Sequence, residues 1–180
     1  MHNDLKLLQG ELERALSGLD DRQTQLRPES GLQSSPRRWS MQQIVGHLLL
    51  TYAATLTAVE ARLAKGSATK ARPSLAQRIG QLTVIGLGRF PQGRRAPAGV
   101  MPEEHAVPLT GEALCAAVVA ALARMDDRIE DAERLFGHRR RAISHMILGP
   151  LNVDQWRRFH LVHGRHHIRQ MAAIRAEYGI

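Results

Sequence analysis

The residues with the clearest chemistry lie in one run near the end of the chain, His163-Gly164-Arg165-His166-His167-Ile168-Arg169-Gln170. If this run is helical, His163 and His167 stand one turn apart with their Cβ atoms roughly 5–6 Å from each other, near enough to close on one metal ion. His160 and Gln170 continue the same stripe, while His166 points about 100° away. A polar helix whose histidines are solvated or bonded to core groups would show the same pattern, and this segment alone leaves both readings open. One class is disfavoured: metalloproteases of the HExxH type need Glu as general base directly after the first histidine, and Gly164 stands there.

Helices must carry these side chains, and the periodicity gives four long ones and a shorter one. The first runs from about Asp4 to Gly18, with Leu5, Leu8, Leu12, Ala15 and Leu16 at helical spacing. A polar connection with Pro28, Gly31 and Pro36 follows. The second helix opens at Ser40, which forms a capping box with Gln43 while Trp39 is placed to staple onto Ile44, and it continues to about Ala64. Its inner stripe, taken through Ile44, His47, Thr51, Ala54 and Ala58, sets a histidine in the second turn, and a buried imidazole needs a partner.

A shorter helix over about Ser74 to Phe90, weakened by three glycines, lies between connections 65–73 and 91–109. The second connection is too long and proline-rich for a hairpin between helices, so it should wrap the surface or cover a cleft as a lid. The fourth helix, capped by Thr110, spans about Gly111 to Leu135, and its Asp126, Asp127 and Glu130 read as solvated charges. The last helix is capped by Asn152 with Gln155 at its third position, Leu151 facing Trp156, and an end near Gly179. This places the histidine run at its middle. No strand alternation and no internal repeat stands out.

A chain of 180 residues, 43% hydrophobic, can bury one core, so one domain over residues 1–180 is expected. Cys115 is the single cysteine, which excludes an internal disulfide framework and fits a reducing compartment; it reads as a small packing residue. There is no run of 18 or so consecutive apolar residues, and the first residues are too charged for a secretory signal, so a soluble cytoplasmic protein without membrane attachment is expected. The net charge of +8 invites a nucleic-acid reading. Against it, Arg37-Arg38, Arg94-Arg95 and Arg139-Arg140-Arg141 fall in three separate connections, and 4% aromatic content leaves little for base stacking. Nucleic acid is therefore not the expected partner, and the charge suits a basic surface or anionic small molecules.

Two motifs carry a family resemblance. Trp39-Ser40-Met41-x-x-Ile44-x-x-His47-Leu48, with His163-x-x-His166-His167-x-x-Gln170, resembles the paired signature of the DinB-like superfamily, the YfiT-type metalloenzymes. The stretch His145-Met146-Ile147-Leu148-Gly149-Pro150-Leu151, followed by Gln155-Trp156, resembles one branch of it, with Met146 where Pro would be expected and His167-Ile168-Arg169-Gln170 in place of the commoner H-R-G-Q. The resemblance implies an all-α, four-helix bundle in up-down-down-up order with a long crossover, to which the short helix is an addition. It further implies a divalent metal held by three histidines, carried over here to His47, His163 and His167.

Three neutral imidazoles without thiolate or carboxylate suit zinc or nickel and leave coordination positions open. Such an ion lowers the pKa of bound water to about 7 or takes a substrate thiol as thiolate. Both hydrolysis and transfer by a low-molecular-weight thiol cosubstrate are thus available, and relatives of both kinds are implied. The helices offer no obvious carboxylate as general base, which favours the thiol transferase over the metal-dependent hydrolase. A non-catalytic, stress-associated metal-binding module is the other alternative. His160, seven residues and roughly 10 Å along the axis from His167, cannot share its ion but can line the pocket. Gln170 is placed to hydrogen-bond the metal's water, the substrate or a neighbouring backbone group, and His145 and Trp156 are further pocket candidates. His2, His105 and His138 read as surface residues. The expected partner is a small-molecule substrate, and a homodimer through an exposed apolar face would suit a bundle of this kind.

Overall fold

The computed structural model describes residues 1–29, 38–91, 93 and 95–180. The readings placed on Gly31, Pro36, Arg37 and Arg94 lie outside these residues. Four long helices form the frame: α1 (Asn3–Leu16), α2 (Met41–Ala64), α4 (Gly111–Phe136) and α5 (Val153–Tyr178), with a short α3 (Leu75–Gln81) between α2 and α4. The fold is an all-α helical bundle.

Contacts along the helices fix their directions. Leu109, just ahead of α4, bonds Gln42 in the first turn of α2, and Arg128 meets Glu60 near the far ends of both, so α2 and α4 run parallel. On α5, Gly164 packs against Leu8, Arg165 pairs with Glu11 and Arg175 reaches Ala15, so α1 and α5 run parallel too. His47 and Thr55 of α2 meet His163 and His160 in descending order, which sets α2 antiparallel to α5. Up, down, down, up is therefore the order of the four helices. Two parallel neighbours require a long crossover, here everything from Lys65 to Thr110.

Local sequence marks the helix starts. Ser40, Ser74 and Asn152 each accept from the third residue onward, whose Gln side chain bonds back to the cap, and Thr110 caps α4. The core is built from the expected α1 stripe, with Leu5, Leu8, Leu12 and Leu16 fully buried. In α2 the stripe differs from the sequence reading. Ala54 is exposed, and the buried line passes through Ile44, Leu48, Tyr52, Thr55 and Val59. The physical reason is size: the larger side chains take the buried face, Tyr52 and Thr55 against His160 of α5, and Ala54 is left at the margin. By length and apolarity α2 alone would be long enough to span a membrane, with a mean hydropathy of 1.4; in the bundle it packs along α4 and carries His47.

Three further features depart from the sequence reading. Helix α3 passes into a π-helical turn over Leu82–Gly86 and stops at Gly88, whose φ of +64° ends it short of Phe90. Residues Ile143–His145 (β1) and Gly149–Leu151 (β2) pair as an antiparallel hairpin. Strands of three residues are too short to show an alternation. The hairpin is held to α3 by Gln81, whose amide donates to the carbonyls of Leu148 (2.7 Å) and Pro150 (3.3 Å). Finally, Asp126 is not a solvated charge: it is buried, accepts from Arg157 Nε at 2.8 Å and from the backbone N–H of His2 at 2.7 Å. His2 itself is half-buried and caps α1, while Asp127, Glu130, His105 and His138 are exposed.

Candidate metal centre

Helices α2 and α5 cross with their histidines facing inward. His47, His163 and His167 are 4–5% exposed, and their ring nitrogens all lie within 4.8 Å of one another. His163 Nε2 stands 3.2 Å from His47 Nε2 and 3.0 Å from His167 Nε2. Two nitrogens on one tetrahedral zinc stand about 3.3 Å apart, given bonds of roughly 2.0–2.1 Å. These separations are near that value.

The outer nitrogens point the same way. His47 Nδ1 is 2.7 Å from the carbonyl oxygen of Val100, which can only accept, so His47 carries its proton there and leaves a lone pair on Nε2. His167 Nδ1 bonds Gln170 Oε1 at 2.7 Å, which fixes the same tautomer. Two lone pairs thus face the third histidine, whose own Nδ1 is buried with no partner among the described residues. Burial pushes all three imidazoles below their ordinary range: His167 to about 3, and His163 well below 6.5, with the neighbouring histidines adding to the effect. For His47, burial also dominates, partly opposed by the Val100 carbonyl. All three are neutral at pH 7, the form that ligates metals. The cluster could hold a divalent metal ion.

Aromatic rings wall the cluster. Trp39, expected to staple onto Ile44, lies on His47 (centroids 4.8 Å apart) and His167 (6.1 Å). Phe159 stacks on His163, and Phe90 rests against both His163 and His166. The crossover covers the α2 side, as a wrapping segment would. A 3-10 turn over Ala98–Val100 delivers the carbonyl to His47, and Pro102 sits 3.4 Å from where a Cβ on Gly46 would be. Buried Gln42 secures the segment by donating to Val107 O and accepting from Leu109 N, both at 2.8 Å.

The four pocket candidates take different places in the fold. His160 is fully buried in a separate layer, its Nε2 3.1 Å from Thr55 Oγ1 and its ring between Tyr52 and Trp156. Trp156 is core as well, donating to Ile143 O across 3.3 Å. His145 belongs to the hairpin, where its Nδ1 accepts from the N–H groups of Ile147 and Leu148, and burial lowers it to about 4. Gln170 does reach the cluster, through His167. Met146 is exposed at the hairpin turn. Of the arginines in the histidine run, Arg165 is held by Glu11 through two nitrogens, and Arg169 is exposed.

Sequence reasoning missed three members. Phe159 had a signal, since it precedes His163 by one helical turn. Phe90 arrives from a distant segment, and Val100 contributes only its backbone, so neither residue type could announce its role.

The motif pair and the crossing of α2 and α5 agree with a comparison against known families. The DinB superfamily model matches residues 4–171. The chain belongs to the DinB superfamily. No curated protein and no solved structure matched the chain. The DinB match covers α1 through most of α5, and so takes in both helices that present the three histidines.

Proposed function

We propose that this DinB-superfamily protein is a metal-dependent enzyme that transfers a low-molecular-weight thiol to an electrophilic small molecule, with His47, His163 and His167 holding zinc or nickel. The observation carrying the proposal is the convergence of three neutral nitrogens with no carboxylate or thiol from the described residues among them. An ion held by such a donor set retains its positive charge and favours an anionic further ligand, so it supplies a means of keeping a thiol deprotonated at neutral pH.

The chain's own residues account for the rest. Trp39, Phe90 and Phe159 exclude water from the nitrogens and offer apolar surface to an electrophile. Val100 and Gln170 hold two imidazoles in the ligating tautomer. In the transfer the thiol loses its proton to solvent, its sulfur forms a bond to the electrophilic carbon, and the leaving group departs with the bonding pair. That balance requires no general base from the protein, and among the described residues no carboxylate joins the three histidines. Hydrolysis of an ester or amide ordinarily calls on a carboxylate or an imidazole to move protons; the imidazole beside the cluster is that of His166, whose ring centroid lies 5.0 Å from that of His167.

Cobalt-substituted protein tests the reading. About one ion per chain should bind, with loss of binding in folded His47→Ala and His167→Ala variants. Glutathione, mycothiol or bacillithiol at millimolar concentration should then produce a sulfur-to-cobalt charge-transfer band in the near ultraviolet. Unchanged spectra with all three thiols, together with His163-dependent turnover of an ester or amide, would replace thiol transfer by hydrolysis.

A further inference from the structure

The three imidazoles of the cluster differ in what holds their outer nitrogens. His47 is held by a backbone carbonyl, that of Val100, and His163 Nδ1 has no partner among the described residues. Among those residues, only His167 of the three has its outer nitrogen held by a side chain. Gln170, one turn further along α5 and exposed on its surface, places Oε1 2.7 Å from His167 Nδ1, and its amide nitrogen lies 3.4 Å from His166 Nε2. A polar side chain on an exposed face would ordinarily extend into water. Here it is turned back along the helix onto a buried ring, and the donor to its oxygen can only be the Nδ1 proton.

We propose that Gln170 is a positioning residue that keeps the His167 proton on Nδ1 and thereby aims the Nε2 lone pair at His47 and His163. The inference rests on the reading that these three histidines hold a divalent ion. It adds a reason for the residue type. An amide accepts the same hydrogen bond as a carboxylate without adding negative charge, so His167 is oriented but not made more electron-donating. The ion is left more electron-poor than it would be behind a Glu. That property suits a site whose further ligand is an anion.

Two variants separate the parts of the argument. Gln170→Leu removes the acceptor, while Gln170→Glu keeps it and adds charge. Zinc affinity, measured by competition with a chromophoric chelator, should fall about 10–100-fold in Gln170→Leu, the usual effect of losing such an outer partner. It should be retained or increased in Gln170→Glu. Because the residue is exposed, the melting temperature in EDTA should move by no more than about 2 °C in either variant. In metal-free protein, imidazole nitrogen NMR should show His167 protonated on Nδ1 in wild type and Gln170→Glu, with the Nε2-protonated form appearing in Gln170→Leu.

Zinc affinity of Gln170→Leu within twofold of wild type, or an unchanged His167 tautomer in that variant, overturns the positioning role while leaving the three-histidine reading in place. Wild-type protein that binds no zinc, nickel or cobalt overturns the three-histidine reading itself and this inference with it.

Discussion

Replacing His160 should remove one distinct share of the protein's sensitivity to acid, beside those of the other buried histidines. His160 is fully buried, and burial, reinforced by nearby His145, lowers it to about 3. The same side chain in an unfolded chain titrates near 6.5. The native state therefore holds His160 neutral, and below pH 6.5 the unfolded chain takes up a proton that the native state refuses. The contribution to stability is complete above pH 6.5 and is lost progressively as the pH falls through the window from 6.5 to 3. At pH 5 the difference spans 1.5 pH units, or about 2 kcal/mol at ~1.4 kcal/mol per unit. His160→Leu keeps an apolar side chain between Tyr52 and Trp156, and Thr55 still donates to Thr51 O, so no buried donor is stranded. Urea unfolding of wild type and variant in EDTA, at pH 7.5 and pH 5, reads the effect as a change in pH dependence regardless of any offset common to both pH values. With a urea slope of ~2 kcal/mol per molar, the wild-type midpoint should fall about 1 M further between the two pH values than the variant's. Equal shifts for the two proteins would refute the assignment of His160 as a neutral buried group.

Two other outcomes follow from the packing and the site. In Gly164→Ala the new Cβ would lie 2.4 Å from Leu8 Cδ1 and 3.0 Å from Cδ2, against a fully buried leucine of α1. Overpacking at about 2 kcal/mol outweighs the helix-propensity gain of ~1 kcal/mol by about 1 kcal/mol, so the melting temperature should drop by about 2–4 °C; a rise in calorimetry would show that α1 is not seated on this glycine. Removing metal with EDTA should lower the melting temperature by about 5–10 °C from a state at 100 times the dissociation constant, without loss of helical circular dichroism at 25 °C. The buried leucines, valines and isoleucines of the four helices form a core that does not depend on the histidines. Unfolding on chelation at 25 °C would make the metal structural.

The sequence by itself determined what is local. Capping boxes at Ser40 and Asn152 and the leucine stripe of α1 follow from hydrogen bonds and periodicities within a few residues, and the structure carries them. The pairing of His163 with His167 is equally local, since one helical turn brings them together. Which faces are buried over long distances is a different matter. Asp126 reads as a solvated charge until α5 brings Arg157 to within 2.8 Å of it, and Ala54 reads as an inner residue until Tyr52 and Thr55 take the buried face against His160 of α5.

The position of Gly164 shows the same division. Its type alone argued against a protease motif, while the reason that nothing larger fits there is the contact with Leu8, 156 positions earlier in the chain. Only the tertiary structure decided that His160 and Trp156 lie in the core and His145 in the hairpin. It also brought Phe90 and the Val100 carbonyl against the three histidines. A side chain's type announces what it can do, but a backbone carbonyl exists at every residue and an aromatic ring is most often core. Their roles at the three histidines are set by where the crossover lies, and that is fixed by contacts such as Gln42 with Val107 that no local pattern encodes.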